Sequence, residues 1–461
     1  MTEALHYRSI GDVAKSIRTG ELSPVTLTET YLERIDSLND SLHAFVEVTA
    51  DDALRAAKTA ETEIAAGNYR GPMHGIGFAL KDNYDTQDVR TTACSKLFID
   101  RVPEKDSTVS ARFKAAGAVL LGKLTMSELA MVGAPGFGEE ARNPWNQAHA
   151  PGWSSSGSGV AVAAGMCAAS MGTDSGGSVR FPASANSIVG LLPTYGRVSR
   201  FGLVPLTGSI DFAGPLTRTV ADSAVVLQAI AGRDENDATS SANSVPDFSA
   251  PLGGDIKGLR VGVTCLDAPG VHADVAARVG DAVKDLESLG ATVCDVKLPL
   301  VEHAHIAGSI IYLSEGFSIY QEQLRHRPQD IAPLFRMYGN LGGLFSSADY
   351  IQAQRLRAAM KKQMVELFQR VDVLALPITT TPPALLSDFN PFGLSNSARS
   401  GPTEVFNLVG APALSVPCGF SAGGLPIGLQ LAAKKFDEAT LFKAAHAYEQ
   451  HKHWHTLHPP L

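Results

Sequence analysis

The 461-residue chain is long enough for one large α/β domain or two to three smaller ones. With 44 % hydrophobic and 19 % charged residues, its composition is globular rather than disordered. The net charge of −8, with no Lys or Arg run longer than a pair, argues against a concentrated phosphate-binding surface, so no nucleic-acid partner is expected.

The N-terminus, MTEALHYRSI, lacks the charged-then-apolar pattern of a signal peptide. No uncharged apolar run reaches the roughly 18 residues of a membrane span, so a cytoplasmic protein with no membrane partner is expected. Ser23-Pro24 reads as an N-cap followed by proline at the first helical position, and Leu27, Tyr31, Ile35 and Leu38 recur at helical spacing. A second, Ala-rich helix covers 51–66 and stops at Gly67. Residues 1–70 are therefore expected to form a helical segment packed on a single catalytic domain, 71–461.

In GFALKDN a short apolar run reads as a buried strand that delivers Lys81 to its end. STVSARFKAAG then reads as a helix that ends at Gly117, and a strand AVLLG follows. Thr125 with Glu128 three residues later has the spacing of a capping box, which predicts a new helix there. VAVAAGMCAASMGTD reads as a small-residue helix running into a buried strand, and 233–255 as a long loop excursion. GLRVGVTC, 273–290 and ATVCDVKLP then alternate strand, helix, strand, which points to a large, mainly parallel or mixed sheet flanked by helices: an α/β fold. Residues 303–370 read as helical, VDVLALPIT and PALSVPCGF as buried strands, and ATLFKAAHAYEQ as a last helix.

Two Ser/Gly-rich stretches stand out, APGWSSSGSGVAVAAG at 150–165 and GTDSGGSVR at 172–180. In the second, Gly176 and Gly177 free the backbone for a tight turn in which several N–H groups converge on one point, as an oxyanion hole requires. Ser178 ends that turn and needs a base, because a bare hydroxyl is a poor nucleophile at neutral pH. No G-x-S-x-G elbow occurs, which disfavours an α/β-hydrolase triad. Either loop alone is unremarkable; both, beside a lysine at a strand end, are not.

Lys81 in ALKDN, PGWSSSGSGVAVAAG, GTDSGGSVRFPA, GLLPTYGRVS and GPLTRTVADSA together resemble the amidase signature family, and the likeness extends to NLVGAPALSVPCGF and GLPIGLQL. The resemblance implies a twisted mixed sheet of about eleven strands between helical layers. It also implies a Ser–cis-Ser–Lys triad of Ser178 as nucleophile, Ser154 as bridging serine and Lys81 as base. Ser154 is the match among the three serines because it follows P-G-x and lies 24 residues before Ser178. The N–H groups of Ser175, Gly176, Gly177 and Ser178 would hold the oxyanion, while Ser155, Asp174 and Arg180 would support the site. Burial would have to lower the pKa of Lys81 for it to act as a base. No cofactor or metal is implied, and a homodimer through the N-terminal helices is expected.

The chain departs from the family pattern at Trp153, where a second glycine usually precedes the bridging serine, and at Ser156, also usually glycine. A retained cis peptide would be the Trp153–Ser154 bond. The loop ELAMVGAPGFGEEARNPWN is slightly shorter than usual, and Met131, Gly133 and Ala134 are expected to approach the substrate, with Trp153, Tyr338 and Phe345 lining its pocket. The histidines at 303–305 and in the tail HKHWHTLHPPL have no ligand-like acidic or cysteine neighbours in sequence, and the five scattered cysteines suggest neither disulfides nor zinc.

The function expected is an amidase that hydrolyses a small-molecule amide, such as an aryl amide, anilide, carbamate or hydrazide, through an acyl-Ser178 intermediate. The alternative is the A subunit of a glutamyl-tRNA amidotransferase, releasing ammonia from glutamine for a partner. Members of that type carry an aspartate several residues before the position of Asn407. ARSGPTEVFN has none, only a displaced Glu404.

Overall fold

The computed structural model describes residues 3–131, 133–388 and 402–461. Its centre is one eleven-stranded mixed sheet. The strands are β1 (Phe45–Val48), β2 (Gly77–Lys81), β3 (Val119–Leu124), β4 (Ala169–Asp174), β5 (Val189–Leu192) and β6 (Phe212–Thr217). They continue with β7 (Arg260–Val263), β8 (Thr292–Asp295), β9 (Val373–Pro377), β10 (Ala413–Phe420) and β11 (Pro426–Ala433). Their order across the sheet is β1-β3-β2-β4-β6-β5-β10-β11-β9-β7-β8. Every residue of β2, β4, β5, β6, β9 and β11 is buried, as expected of strands covered on both faces by helices.

The helix Pro24–Leu42 starts where the sequence predicts: the Ser23 hydroxyl accepts from the Val25 and Thr26 amides, and Leu27, Tyr31 and Ile35 are buried. It stops at His43, which adopts the left-handed conformation. The Asn39 side chain then accepts from the Phe45 amide at 2.8 Å and donates to the Phe45 carbonyl at 3.1 Å. These bonds turn the chain into β1, which pairs antiparallel with β3 at the sheet edge.

The helix expected from Thr125 does not form; only a single 3-10 turn, Glu128–Ala130, follows β3. Tertiary partners take both capping groups: the Thr125 hydroxyl donates to the His43 carbonyl, and the Glu128 carboxylate accepts from Ser95 Oγ and the Ala332 amide. The helices Val301–His326, Pro333–Gly342 and Ser347–Arg370 form the predicted helical region. The first two pack against residues 93–97 and 126–131 through Leu313, Tyr320 and Phe335, roofing the C-terminal ends of β2 and β4.

Candidate active site

β2 runs parallel to β4 as its direct neighbour, so the C-terminal ends of both strands lie at one edge of the sheet. Lys81 is the last residue of β2, and the turn 175–178 leaves the end of β4. The 153–155 segment, which leads into the helix Ser156–Ala163, lies between them, with a cis peptide bond at Trp153–Ser154.

Lys81 is fully buried. Three hydroxyls surround its amine: Ser154 Oγ at 2.8 Å, Ser155 Oγ at 2.9 Å and Thr173 Oγ1 at 2.8 Å. A neutral amine offers two N–H donors and one lone pair, and three hydroxyls can satisfy that set. Ser155 Oγ also donates to the Thr173 carbonyl, so its proton is committed and it accepts from Lys81. Ser154 Oγ has no second partner among the described residues, which leaves its proton free to face the lysine lone pair. Burial lowers Lys81 to about 7, against the opposing charges of Asp211 and Asp174 and the nearby Cys94.

The turn is held from below. Asp174 and Arg180 form a wholly buried ion pair at 3.0 Å, and Arg180 also donates to the Thr403 carbonyl, Gln430 and Asn407. Burial pushes the Asp174 carboxyl up, but the Arg180 charge and hydrogen bonds from Arg180, Asn407 and Val179 outweigh it and hold it below the ordinary aspartate value. The Gly177 amide donates to Asp174 Oδ1 at 2.7 Å. This corrects the expected oxyanion set: Gly177 is engaged by the brace, whereas the amides of Ser175, Gly176 and Ser178 have no protein acceptor among the described residues. Gly177 instead supplies a backbone at φ +134°.

Ser154, Ser175, Gly176 and Ser178 line one cavity of about 450 Å³. Of the expected substrate contacts, Met131, Trp153, Tyr338 and Phe345 line it. Gly133 and Ala134 do not: Gly133 sits at φ +104° and the Ala134 carbonyl accepts from the Glu128 amide, which carries the loop away from the cavity. Trp153 also donates through Nε1 to Glu140 at 2.8 Å.

Sequence reasoning missed Thr173, Phe181, His305 and Tyr312 at the site, and misjudged Glu404. Glu404 lines the cavity as its only carboxylate among the described residues, beside Gly176, and both its oxygens lie within 3.2 Å of His305 Nδ1. That hydrogen bond raises His305 above its ordinary value, against the effect of burial. Residues 398–401 of the same stretch lie outside the described residues. No group of three His, Cys, Asp or Glu among the described residues could hold a metal, and no described helix is long and apolar enough to cross a membrane.

The family model described as Amidase matches residues 26–442. The chain belongs to the Amidase family. This establishes an enzyme acting on amide C–N bonds and accounts for the mixed sheet. A relative from Roseiflexus sp. (strain RS-1), named as the A subunit of glutamyl-tRNA(Gln) amidotransferase, is 40 % identical, with 99 % of each chain covered. The solved peptide amidase from Stenotrophomonas maltophilia is 31 % identical over 98 % of each chain, with a TM-score of 0.86. A second solved structure is described as "an unexpected vestigial protein complex" that reveals the origins of an s-triazine catabolic enzyme. It is 32 % identical, covers 96 % of this chain and 98 % of its own, and has a TM-score of 0.89.

These relatives overturn the expected partner set, a small-molecule amide alone with no nucleic acid and a homodimer. Amidase-family relatives at this identity are named as subunits of an assembly whose name includes a tRNA. Few clustered basic residues on one chain do not exclude such an assembly, because another component can carry the nucleic-acid contacts.

Proposed function

We propose that this Amidase-family chain cleaves a primary carboxamide through an acyl-Ser178 intermediate, and does so as the ammonia-releasing A subunit of an amidotransferase that takes glutamine as its amide. Ser178 Oγ attacks the carbonyl while Ser154 passes the Ser178 proton to neutral Lys81. The amides of Ser175, Gly176 and Ser178 receive the oxyanion. Lys81 returns the proton through Ser154 to the departing nitrogen, and water then hydrolyses the ester. The observation that carries the chemistry is the 2.8 Å contact of buried Lys81 with Ser154 at the wall of the cavity that Ser178 also lines. The subunit reading is supported by 40 % identity along 99 % of both chains. It is also supported by the Glu404–His305 pair, which offers a carboxylate for the glutamine ammonium and an imidazole N–H for its carboxylate.

A second reading concerns the substrate alone. The cavity walls are largely apolar, with Trp153, Phe181, Ile210, Tyr312, Leu313 and Phe345, which favours an aryl amide, anilide or related carbamate or hydrazide. The experiment is ammonia or amine release from glutamine, benzamide and an aryl carbamate by the purified chain, with Ser178→Ala as control. Glutamine turnover that a copurifying partner stimulates supports the subunit reading. Preference for the aryl substrates supports the second, and activity that survives in Ser178→Ala overturns both.

A further inference from the structure

In the antiparallel pair β4–β6, Asp174 stands opposite Phe212, so the residues just beyond, Ser175 and Asp211, also face each other at the cavity edge. Asp211 is 6 % exposed, and its carboxylate is filled by four donors. Ser175 Oγ donates to Oδ1 at 2.5 Å and Thr207 Oγ1 to Oδ1 at 2.8 Å, while the Leu206 and Thr207 amides donate to Oδ2, each at 2.8 Å. One carboxylate thereby ties the first residue of the oxyanion turn to the 206–207 segment, whose Leu206 is itself cavity wall. Nothing else among the described residues holds the Ser175 side chain.

We infer that Asp211 is a positioning residue for amide cleavage: through the Ser175 hydroxyl it fixes the direction of the Ser175 amide toward the reacting carbonyl oxygen. The inference rests on the acyl-Ser178 reading. A rigid turn is what a preorganised oxyanion site requires, because a donor that must first rotate loses its advantage at the moment of reaction. The Asp211 charge has a separate consequence. Asp211 and Asp174 are the carboxylates whose charge favours protonated Lys81, against its burial, while burial keeps the nearby Cys94 thiol neutral. Removing the Asp211 charge leaves burial less opposed, so Lys81 loses its proton at lower pH.

The test uses an alkyl fluorophosphonate, which needs no knowledge of the substrate. Ser178 Oγ forms the P–O bond, the P–F bond breaks, fluoride leaves, and the hydroxyl proton passes through Ser154 to Lys81. Labelling of the whole chain is followed by intact mass against pH, with peptide mapping to Ser178. Ser175→Ala, which keeps the Asp211 charge, is expected to label about tenfold more slowly with its acid limb unmoved. Asp211→Asn is expected to slow labelling similarly and to move the acid limb to lower pH, a shift that a merely structural role would not produce.

If both variants label at the native rate, or if Asp211→Asn slows labelling without moving the limb, the inference is overturned. If the native chain is not labelled at Ser178, the acyl-Ser178 reading falls and takes the inference with it. Should Asp211→Asn fail to fold, Ser175→Ala decides alone: a native labelling rate overturns the inference and a tenfold loss supports it.

Discussion

Replacing Arg180 with methionine removes five buried hydrogen bonds, two of them to Asp174. It leaves Asp174 as an uncompensated charge in the core, and breaking a buried pair from one side costs about 3–5 kcal/mol. An unfolding entropy of about 2.1 cal/mol/K per residue makes about 1 kcal/mol/K for 461 residues, so a loss of about 4 kcal/mol lowers Tm by about 4 °C. Asp174 also holds the Gly177 and Val179 amides, so Ser178 reactivity falls with stability. The pH dependence has a definite sign. In the variant, burial is no longer outweighed by a cation, and Asp174 binds a proton at higher pH folded than unfolded. The penalty is full above that raised pKa and shrinks as pH falls through it, so the Tm gap to the native protein narrows from about pH 8 toward about pH 5. Adding Asp174→Asn, which removes the stranded charge, recovers part of the loss. Differential scanning calorimetry across this pH range measures all of it. A Tm within about 1 °C of native, or a gap that widens on acidification, refutes the reasoning.

Amide turnover is expected to fall on one proton below pH 7, because Lys81 titrates at about 7 and only its neutral form accepts a proton; a pH–kcat/KM profile flat through this region would contradict that role. Lys81→Met is expected to lose on the order of 10²-fold or more in kcat with its fold intact, checked by activity and circular dichroism together. Gly177→Ala places a Cβ 2.5 Å from the Phe181 ring at φ +134°, so calorimetry and fluorophosphonate labelling are expected to show a lower Tm and slower acylation. Phe345→Ala is expected to raise KM for a benzamide by about tenfold or more, the loss of an aromatic contact at the cavity wall, while Ala134→Ser, away from the cavity, leaves KM unchanged.

Much of the fold could be read from runs of apolar residues bounded by glycine and proline, because strands buried on both faces leave that mark. β1 could not, since Phe45 continues an apparently helical stretch and the break depends on left-handed His43 and the Asn39 side chain. Lys81, Ser154 and Ser178 stood out because each lies in a short motif that resembles the family signature, although Lys81 and Ser154 are 73 positions apart. Glu404 was not. It reaches the cavity 99 positions away from its partner His305, and chain spacing from Asn407 says nothing about that proximity. Gly133 and Ala134 show the converse: nearness in sequence to Met131 does not survive a loop whose hydrogen bond to Glu128 turns it elsewhere. Asp211 becomes visible only through strand register, since nothing in GSIDFAG marks it as facing Ser175.

The groups that would break the amide come from one continuous span, 81–180, whereas much of the surface that would choose it comes from 301–345, 379–384 and 404–408. Reaction and selection are thus written in separate paragraphs of the chain. A helix in the second set can exchange side chains and re-tailor what fits, while the lysine keeps the same three hydroxyls around it.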